Sequence, residues 1–408
     1  MKAPKLRFKE FKKDWSLKRL GEITKKIGSG STPLGGELAY VSAGIPFIRS
    51  QNVANNKLNL EDIRFIPESI NVKMAATIVQ SDDILLNITG ASIGRSCVVP
   101  SNFSCGNVNQ HVCIIRLISD EIPDFYQPYI ASSRGQNMIM STQVGGGREG
   151  LNFQSIRKFE LFAPDKKEQQ KIGLFLSTVD QKISLLTKRH ELLIQYKKGV
   201  MQKIFNQEIR FKDKNGNNFP DSKRVFLGDI AQFYKGKGIS KSDISSDGLT
   251  PCIRYGELYT QYGVTISEVI SKTNTPIKDL ILSKANDVII PASGETQIDI
   301  ATASCVIHGG IALGGDLNII RTEQSGVFLC YYLNSEKKLD IAKLAQGNSV
   351  VHLYASQLKG LEIDLPTLAE QELIANFLSL IDKKIALCNA ELIATKKYKQ
   401  GLLQQMFI

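Results

Sequence analysis

Glu168–Phe205 reads EQQKIGLFLSTVDQKISLLTKRHELLIQYKKGVMQKIF, and Glu370–Phe407 reads EQELIANFLSLIDKKIALCNAELIATKKYKQGLLQQMF. Residues 161–205 and 363–407 align without a gap at an offset of 202 and share 16 of 45 positions. Pro164/Pro366, Glu168/Glu370, Gln169/Gln371, Phe175/Phe377, Asp180/Asp382, Gly199/Gly401 and Phe205/Phe407 are among them. In the first stretch Ile172, Leu176, Val179, Ile183, Leu186, His190, Leu193, Lys197, Val200 and Ile204 recur at alternating steps of four and three. In the second, Ile374, Leu378, Ile381, Ile385, Cys388, Leu392, Thr395, Lys399, Leu402 and Met406 hold the same register. That is the 3.5-residue period of a coiled coil. Neither stretch contains proline and both follow one closely, where helices start.

The repeat extends outward from these helices. Ile209-Arg210-Phe211-Lys212-Asp213 echoes Leu6-Arg7-Phe8-Lys9-Glu10, and Leu227-Gly228-Asp229-Ile230 echoes Leu20-Gly21-Glu22-Ile23. The chain is written twice, in units far longer than the roughly 20–50 residues of a solenoid repeat. The layout predicts a globular head over 1–163, a helix over 164–207, a second head over 208–363 and a second helix over 364–408. Two matched heptad helices in one chain most simply pair with each other, antiparallel, with the heads at opposite ends. About 38 residues at a rise of about 1.5 Å give a rod of roughly 57 Å.

The fold class expected is α+β: two mixed α/β heads in tandem repeat, separated by two long antiparallel coiled-coil helices, with pseudo-twofold symmetry. The heads read as strand-rich, with β-prone runs at Ile45–Arg49, Asp83–Leu86, Val112–Leu117, Asp287–Ile290 and Leu317–Arg321 between glycine, asparagine and serine turns. Helical patches fall at Asp124–Met140 and Val327–Ala345. Head two keeps the framework strands of head one but few of its loop residues, as two readers of different sequences would.

Bulk properties bound the partners. An apolar content of 42% and a charged content of 22% are those of a soluble globular protein. No apolar run approaches the roughly 20 residues of a membrane span, and the basic start precedes no apolar h-region, so a cytoplasmic protein with no membrane partner is expected. Seven cysteines, none in a Cys-x-x-Cys, read as free thiols in a reducing compartment. The formal charge of +11 is uneven. Residues 1–163 carry 20 basic against 14 acidic side chains, 164–225 carry 14 against 7, 226–363 carry 12 against 14, and the last 45 carry 5 of each. A basic excess on a two-halved object suits a polyanion with two halves, and duplex DNA is the evident candidate.

The motifs of a self-sufficient enzyme are missing. There is no Walker A loop. Gly145–Gly150 satisfies G-x-G-x-x-G literally but lacks the strand before and helix after that a dinucleotide site needs, and reads as a loop with Arg148 at its tip. No Pro-Pro occurs, so the Asn/Asp-Pro-Pro-aromatic motif of base-amine methyl transfer is absent. The four histidines (111, 190, 308 and 352) lie far apart, and no metal site is expected. The heads offer polar loops instead. Candidate DNA contacts in head one are Ser29, Ser31, Thr32, Arg49, Gln51, Asn52, Thr89, Ser92, Arg95, Asn109, Gln110 and Arg148. In head two they are Lys235, Lys237, Arg254, Tyr255, Thr296, Asn348, Ser349 and His352. Arg, Asn and Gln can bond base edges bidentately, while Lys, Ser, Thr and glycine-loop amides hold phosphates. Ile172, Leu176, Val179, Ile183, Leu186, Leu193, Ile374, Leu378, Ile381, Ile385 and Leu392 are the coiled-coil and partner-docking candidates. Two other readings stay open: a coiled-coil scaffold with protein-binding heads, and a DNA methyltransferase or nuclease carrying its own site.

Leu365-Pro366-Thr367-Leu368-Ala369-Glu370-Gln371 and Ala163-Pro164-Asp165-Lys166-Lys167-Glu168-Gln169, each followed by Phe-Leu-Ser-x-hydrophobic-Asp-x-Lys-Ile at 175–183 and 377–385, resemble the openings of the two spacer helices in specificity subunits of type I restriction–modification systems. Trp15 with Leu20–Ile23, Asp83–Leu86 with Gly90, and Gly147 with Leu151 are similar too, so the resemblance covers the full length. It implies two target-recognition domains reading a bipartite, asymmetric site on double-stranded DNA, with the helices as a ruler for the gap. It also implies a non-catalytic subunit with no cofactor of its own. Two methyltransferase (M) subunits would bring S-adenosylmethionine, and two restriction (R) subunits would bring ATP and Mg²⁺. Head two departs from head one at its first loop, where Lys235-Gly236-Lys237-Gly238 faces Gly28–Pro33, so the two loops read as not equivalent.

Overall fold

The computed structural model describes residues 3–142, 150–347 and 350–408. The chain forms two compact units, one of residues 1–188 with 389–408 and one of residues 189–388. Each contains a head and parts of two long helices, α1 (Lys166–Phe205) and α2 (Leu368–Met406).

In the first unit a four-stranded antiparallel sheet runs in the order Thr24–Ser29, Val112–Leu117, Ile84–Asn87, Ser96–Val98. A second sheet orders Arg64–Ile66, Ile45–Ile48, Gly106–Val108 and Ile78–Val79, with Ile45–Ile48 parallel to Gly106–Val108. The run Ile84-Leu85-Leu86 is continuously apolar because both faces of its strand are covered. Ile84 and Leu86 join Trp15, Phe125, Tyr126 and Ile130 on the helical side, while Leu85 joins Ile48, Val79 and Val108 against the other sheet. The helical patch at 124–140 is two helices, Pro123–Ala131 and Ser133–Ser141. Ser132 interrupts it in extended conformation, its Oγ accepting the Gly135 amide at 3.3 Å as a helix cap.

The second unit repeats this plan. Ala231–Lys235, Leu317–Thr322, Asp287–Pro291, Ser304–Val306 and Thr265–Ile266 form the main sheet. Ser271–Thr273, Thr250–Ile253 and Ala312–Leu313 form the other, again with one parallel pair. The patch at 327–345 likewise divides into Gly326–Ser335 and Lys338–Leu344. In each head an outer antiparallel ribbon, Ser16–Arg19 with Glu160–Ala163 or Lys223–Phe226 with Glu362–Leu365, ties the start of the head to its end.

A buried ion pair locks both main sheets. Asp83 accepts Arg116 Nε at 2.7 Å and Nη2 at 2.8 Å and takes the Gln80 amide at 2.8 Å. Asp287 accepts Arg321 Nε at 3.0 Å and Nη2 at 3.2 Å and takes the Lys284 amide at 2.8 Å. The pair fixes the turn into the central strand against its neighbour in each head.

Within each unit α1 and α2 run antiparallel. In the first, Ile172, Leu176 and Val179 share a core with Leu402 and Met406, and Lys399 Nζ reaches both oxygens of Asp180 at 2.6 Å. In the second, Ile204 packs with Ile374, Leu378 and Ile381, and Lys197 meets Asp382 at 2.6 Å. Leu186, Cys388 and Leu392 are buried, while Ile183, Leu193 and Ile385 are half-buried. The lysines that interrupt both apolar seams are therefore the cationic halves of one repeated ion pair.

Replacing Asp287 by Ala leaves Arg321 without its carboxylate. About 3 kcal/mol of stability should be lost from that head. Hydrogen exchange should show Asp287–Pro291 and Leu317–Thr322 deprotected, with Ile84–Asn87 unchanged.

Candidate nucleic-acid interface

In head one the polar loops meet at one edge of the two sheets. Gly30 ends the first strand where it crosses Val108, so closely that a Cβ there would lie 1.7 Å from the Val108 carbonyl oxygen. The Asn109 amide then donates to Ile48 O at 3.1 Å, which draws the loop after Gly106–Val108 against Arg49. Asn87 Nδ2 donates to Ser50 O at 2.8 Å and binds the next strand end to the same place. Thr89 Oγ1 lies 2.6 Å from His111 Nδ1, Gln110 Nε2 lies 3.2 Å from His111 Nε2, and Thr32 Oγ1 donates to Gln110 Oε1. Thr32, Thr89, Asn109, Gln110 and Arg49 are thereby brought together around His111, which carried no role in the sequence reading beyond its place in the run Asn109-Gln110-His111.

The candidates divide by exposure. Ser31, Thr32, Gln51, Arg95 and Gln110 are exposed, and Ser29, Arg49, Thr89 and Ser92 are half-buried. Asn52 and Asn109 are buried and brace their own loops. Asn52 Oδ1 accepts the Arg49 amide at 2.9 Å while its Nδ2 donates to Asn59 O at 3.1 Å, and Asn109 Oδ1 accepts the His111 amide at 3.0 Å. Gln51 Nε2 donates to Asp62 Oδ2 at 2.9 Å. Arg148, Asn348 and Ser349 lie outside the described residues.

Head two builds the same edge with different side chains. Gly236 crosses Gly314, where a Cβ would sit 1.9 Å from the Gly314 carbonyl oxygen. The Lys237 amide donates to Leu313 O at 3.0 Å and the Gly314 amide to Ile253 O at 2.9 Å, beside Arg254. This corrects the expectation that the first loops are not equivalent. Gly30 and Gly236 do one job, which the topology sets at a backbone crossing and which the flanking residues do not announce. Lys235, Lys237 and Thr296 are exposed. Thr296 caps the turn Gln297–Ile300, its Oγ1 accepting the Asp299 amide at 3.1 Å. His352, on a strand paired with Ser293–Gly294, stacks on exposed Tyr354 at 6.4 Å. Tyr255 lies just after Arg254 at the start of a short helix and is exposed.

Four of the thiols are withdrawn from solvent. Burial pushes the thiols of Cys97, Cys113 and Cys305 up to about 12 and that of Cys252 up to about 11. Among the described residues, no three His, Cys, Asp or Glu side chains gather to hold a metal ion. Among the same residues, no helix is long and apolar enough to cross a membrane.

A family model described as type I restriction modification DNA specificity domain matches residues 12–195 and 220–396. The MjaVIII type I restriction enzyme specificity subunit of Methanocaldococcus jannaschii is 22% identical over 411 residues, spanning 96% of this chain and 91% of that one. The S subunit of a type I restriction-modification system from M. genitalium has the same fold, with a TM-score of 0.63 at 14% identity over 100% of this chain and 99% of that one. A chain from a structure concerning assembly and conformational transition of the type I R-M system matches with a TM-score of 0.53 at 16% identity, over 96% and 97% of the two chains.

Gly30→Ala and Gly236→Ala should each force the crossing apart. The expected loss is about 1–3 kcal/mol, confined to the head that carries the change. Limited proteolysis should show the altered head cleaved first and the other head protected as before.

Proposed function

We propose that this chain, which belongs to the type I restriction modification DNA specificity domain family, is the non-catalytic subunit that gives such a complex its DNA sequence. One observation carries the reading. Two heads assemble corresponding loops at corresponding strand ends, on scaffolds held by the same buried Asp–Arg pair and the same glycine crossing, yet the loop side chains differ. Thr32, Gln110 and Thr89 stand in one, and Lys237 and His352 in the other. Repeated scaffolds with unlike polar edges suit two unlike half-sites on double-stranded DNA, and hence a bipartite, asymmetric site.

The helices take two parts in this reading. Their matched lengths set the gap between half-sites, and their outer faces dock partners. Leu185 and Leu387, equivalent in the two repeats, are 70% and 71% exposed. Tyr196 and Tyr398, also equivalent, are exposed, and three residues on in each helix stands a glycine, Gly199 or Gly401, with open space where a Cβ would be. A helix-interior glycine weakens a helix by about 1 kcal/mol relative to alanine. Its presence in both copies, under open space, suits close approach by another chain. Two M subunits, carrying S-adenosylmethionine, and two R subunits, using ATP and Mg²⁺, are the partners that fit.

Mapping methylated adenines genome-wide, with and without this gene, tests the function. A two-part motif with a fixed gap should vanish with the gene; an unchanged map would count against the reading. Removing about one heptad from both helices should shorten the preferred gap by about 3 bp, from roughly 10 Å of helix, with both half-sites kept. An unchanged gap would exclude the ruler. Leu185→Glu and Leu387→Glu should each weaken the capture of one M subunit by at least about 10-fold, and the double variant should capture neither. Native mass spectrometry of the assembled complex reads this directly.

A further inference from the structure

We propose that Arg49 and Arg254 are equivalent base-reading residues, one per head, each directing its guanidinium at the N7/O6 edge of a guanine in its half-site. The inference rests on the DNA-recognition reading above and deepens it.

The two arginines share one backbone address. Each is the first residue after the strand that pairs in parallel within the smaller sheet of its head, Ile45–Ile48 with Gly106–Val108 or Thr250–Ile253 with Ala312–Leu313. Their backbone angles are nearly the same, φ −114° and ψ 166° for Arg49, φ −108° and ψ 155° for Arg254. Each amide donates to the side chain three residues on, Asn52 Oδ1 at 2.9 Å or Glu257 Oε2 at 3.1 Å. Each carbonyl accepts the amide of that same residue, at 2.8 Å and 3.0 Å. Asn and Glu do the same bracing work, so what the two heads retain at this point is the arginine and its posture.

Four half-buried arginines of the heads form a natural control. Arg116 and Arg321, 22% and 20% exposed, place Nε and Nη2 on a buried aspartate, and Nη2 also reaches a strand carbonyl. These two lock the fold. Arg49 and Arg254 are no more exposed than 20% and 29%, yet Nε of each is buried and, among the described residues, has no hydrogen-bond partner, and Arg49 Nη2 makes only a long bond to Asp62 O at 3.5 Å. The nearest carboxylates stand at 4.0 Å from Arg49 Nη2 (Asp62) and 3.7 Å from Arg254 Nε (Glu257), beyond hydrogen-bond reach. A guanidinium left this short of acceptors is unfavourable, and keeping one at the same address in two diverged heads points to an acceptor supplied from outside, at its exposed edge rather than at the shielded Nε.

That acceptor is a base edge more readily than a phosphate. Each arginine has an acidic neighbour within 4.0 Å, which repels a phosphate and tolerates the uncharged edge of a guanine. A planar guanidinium on a braced backbone suits bidentate reading, where a phosphate contact needs only a loose cation such as exposed Lys235 or Lys237. In head two a cavity of about 400 Å³ opens beside Arg254, lined by Tyr255, Glu257, Gln261 and Ser271.

The test compares wild type, Arg49→Gln, Arg254→Gln and the two Arg→Lys variants in the full complex, by sequencing methylated adenines and by methylation rates on defined duplexes. Arg49→Gln should relax one guanine position in one half-site, and Arg254→Gln one in the other. Each should lower the rate on the original site by about 10–100-fold. Lysine should restore less than half of that loss, since it cannot form the fork. A half-site without a guanine on either strand overturns the proposal for that head. So does an unchanged motif methylated more slowly at every site, the mark of a phosphate or folding contact. Absence of any two-part motif with the wild-type chain would instead overturn the specificity-subunit reading itself.

Discussion

The joint at the start of each long helix is the constraint on which the rest depends. Gln169, fully buried, donates through Nε2 to Pro164 O at 2.9 Å and Glu121 Oε2 at 2.8 Å, and its Oε1 accepts the Ile122 amide at 3.0 Å. Gln371 repeats this on Pro366 O, Gln324 Oε1 and the Ser325 amide, at 2.8, 2.8 and 3.0 Å. A single side chain thus satisfies the proline carbonyl before the helix and caps the first large helix of the head, with every polar atom matched. Glu168 and Glu370, one residue earlier, grip Arg7 (2.7 Å) and Arg210 (3.1 Å). That grip seats Phe8 on Phe175 and Phe211 on Phe377. The echo of Arg7-Phe8 in Arg210-Phe211 exists to close this joint. Because Gln169 and Gln371 are buried and bonded at both side-chain polar atoms, they tie the helix start firmly to the head.

Rigidity at the joint gives the polar edges their meaning. Tight turns and buried amides fix where Thr32, Gln110, Lys237 and Arg254 emerge, so that exchanging an exposed side chain alters chemistry without moving the frame. Asn52 and Glu257 show how far this goes: neutral in one head and acidic in the other, they make the same bond to the amide they brace. The frame tolerates the change because the bond needs only an acceptor oxygen.

Legibility in the sequence followed the range of the forces involved. The helices were plain because a 3.5-residue period is local, and the central strands because two covered faces demand unbroken apolar runs. The pairing of Lys197 and Lys399, polar positions in the seam, was not legible, since their partners Asp382 and Asp180 lie 185 and 219 residues away. The breaks in the helical patches fall in the polar runs 132–137 and 334–338, which also suit an exposed helix face; at the first, Ser132 caps a new helix and Gly135 packs against the Tyr129 and Ile130 carbonyls. Gly236 was misjudged because a backbone crossing leaves no trace in neighbouring residues. At the polar edges, Asn52 and Asn109 were sorted with the candidate contacts by residue type alone. Only burial separates a side chain that holds a loop from one that the loop presents.

Charge adds an asymmetry that the shared frame does not contain. Head one carries six more basic than acidic side chains over 1–163, and 226–363 carries two fewer. Phosphate attraction acts over about a Debye length and weakens with salt, whereas a braced donor on a base edge is short-ranged and depends far less on salt. Under the DNA-recognition reading, head one supplies most of the general attraction for the duplex. Head two, in the same chain, need not supply its own. An acidic neighbour of Arg49 or Arg254, Asp62 in one head and Glu257 in the other, is common to both, so the charge asymmetry lies away from that address.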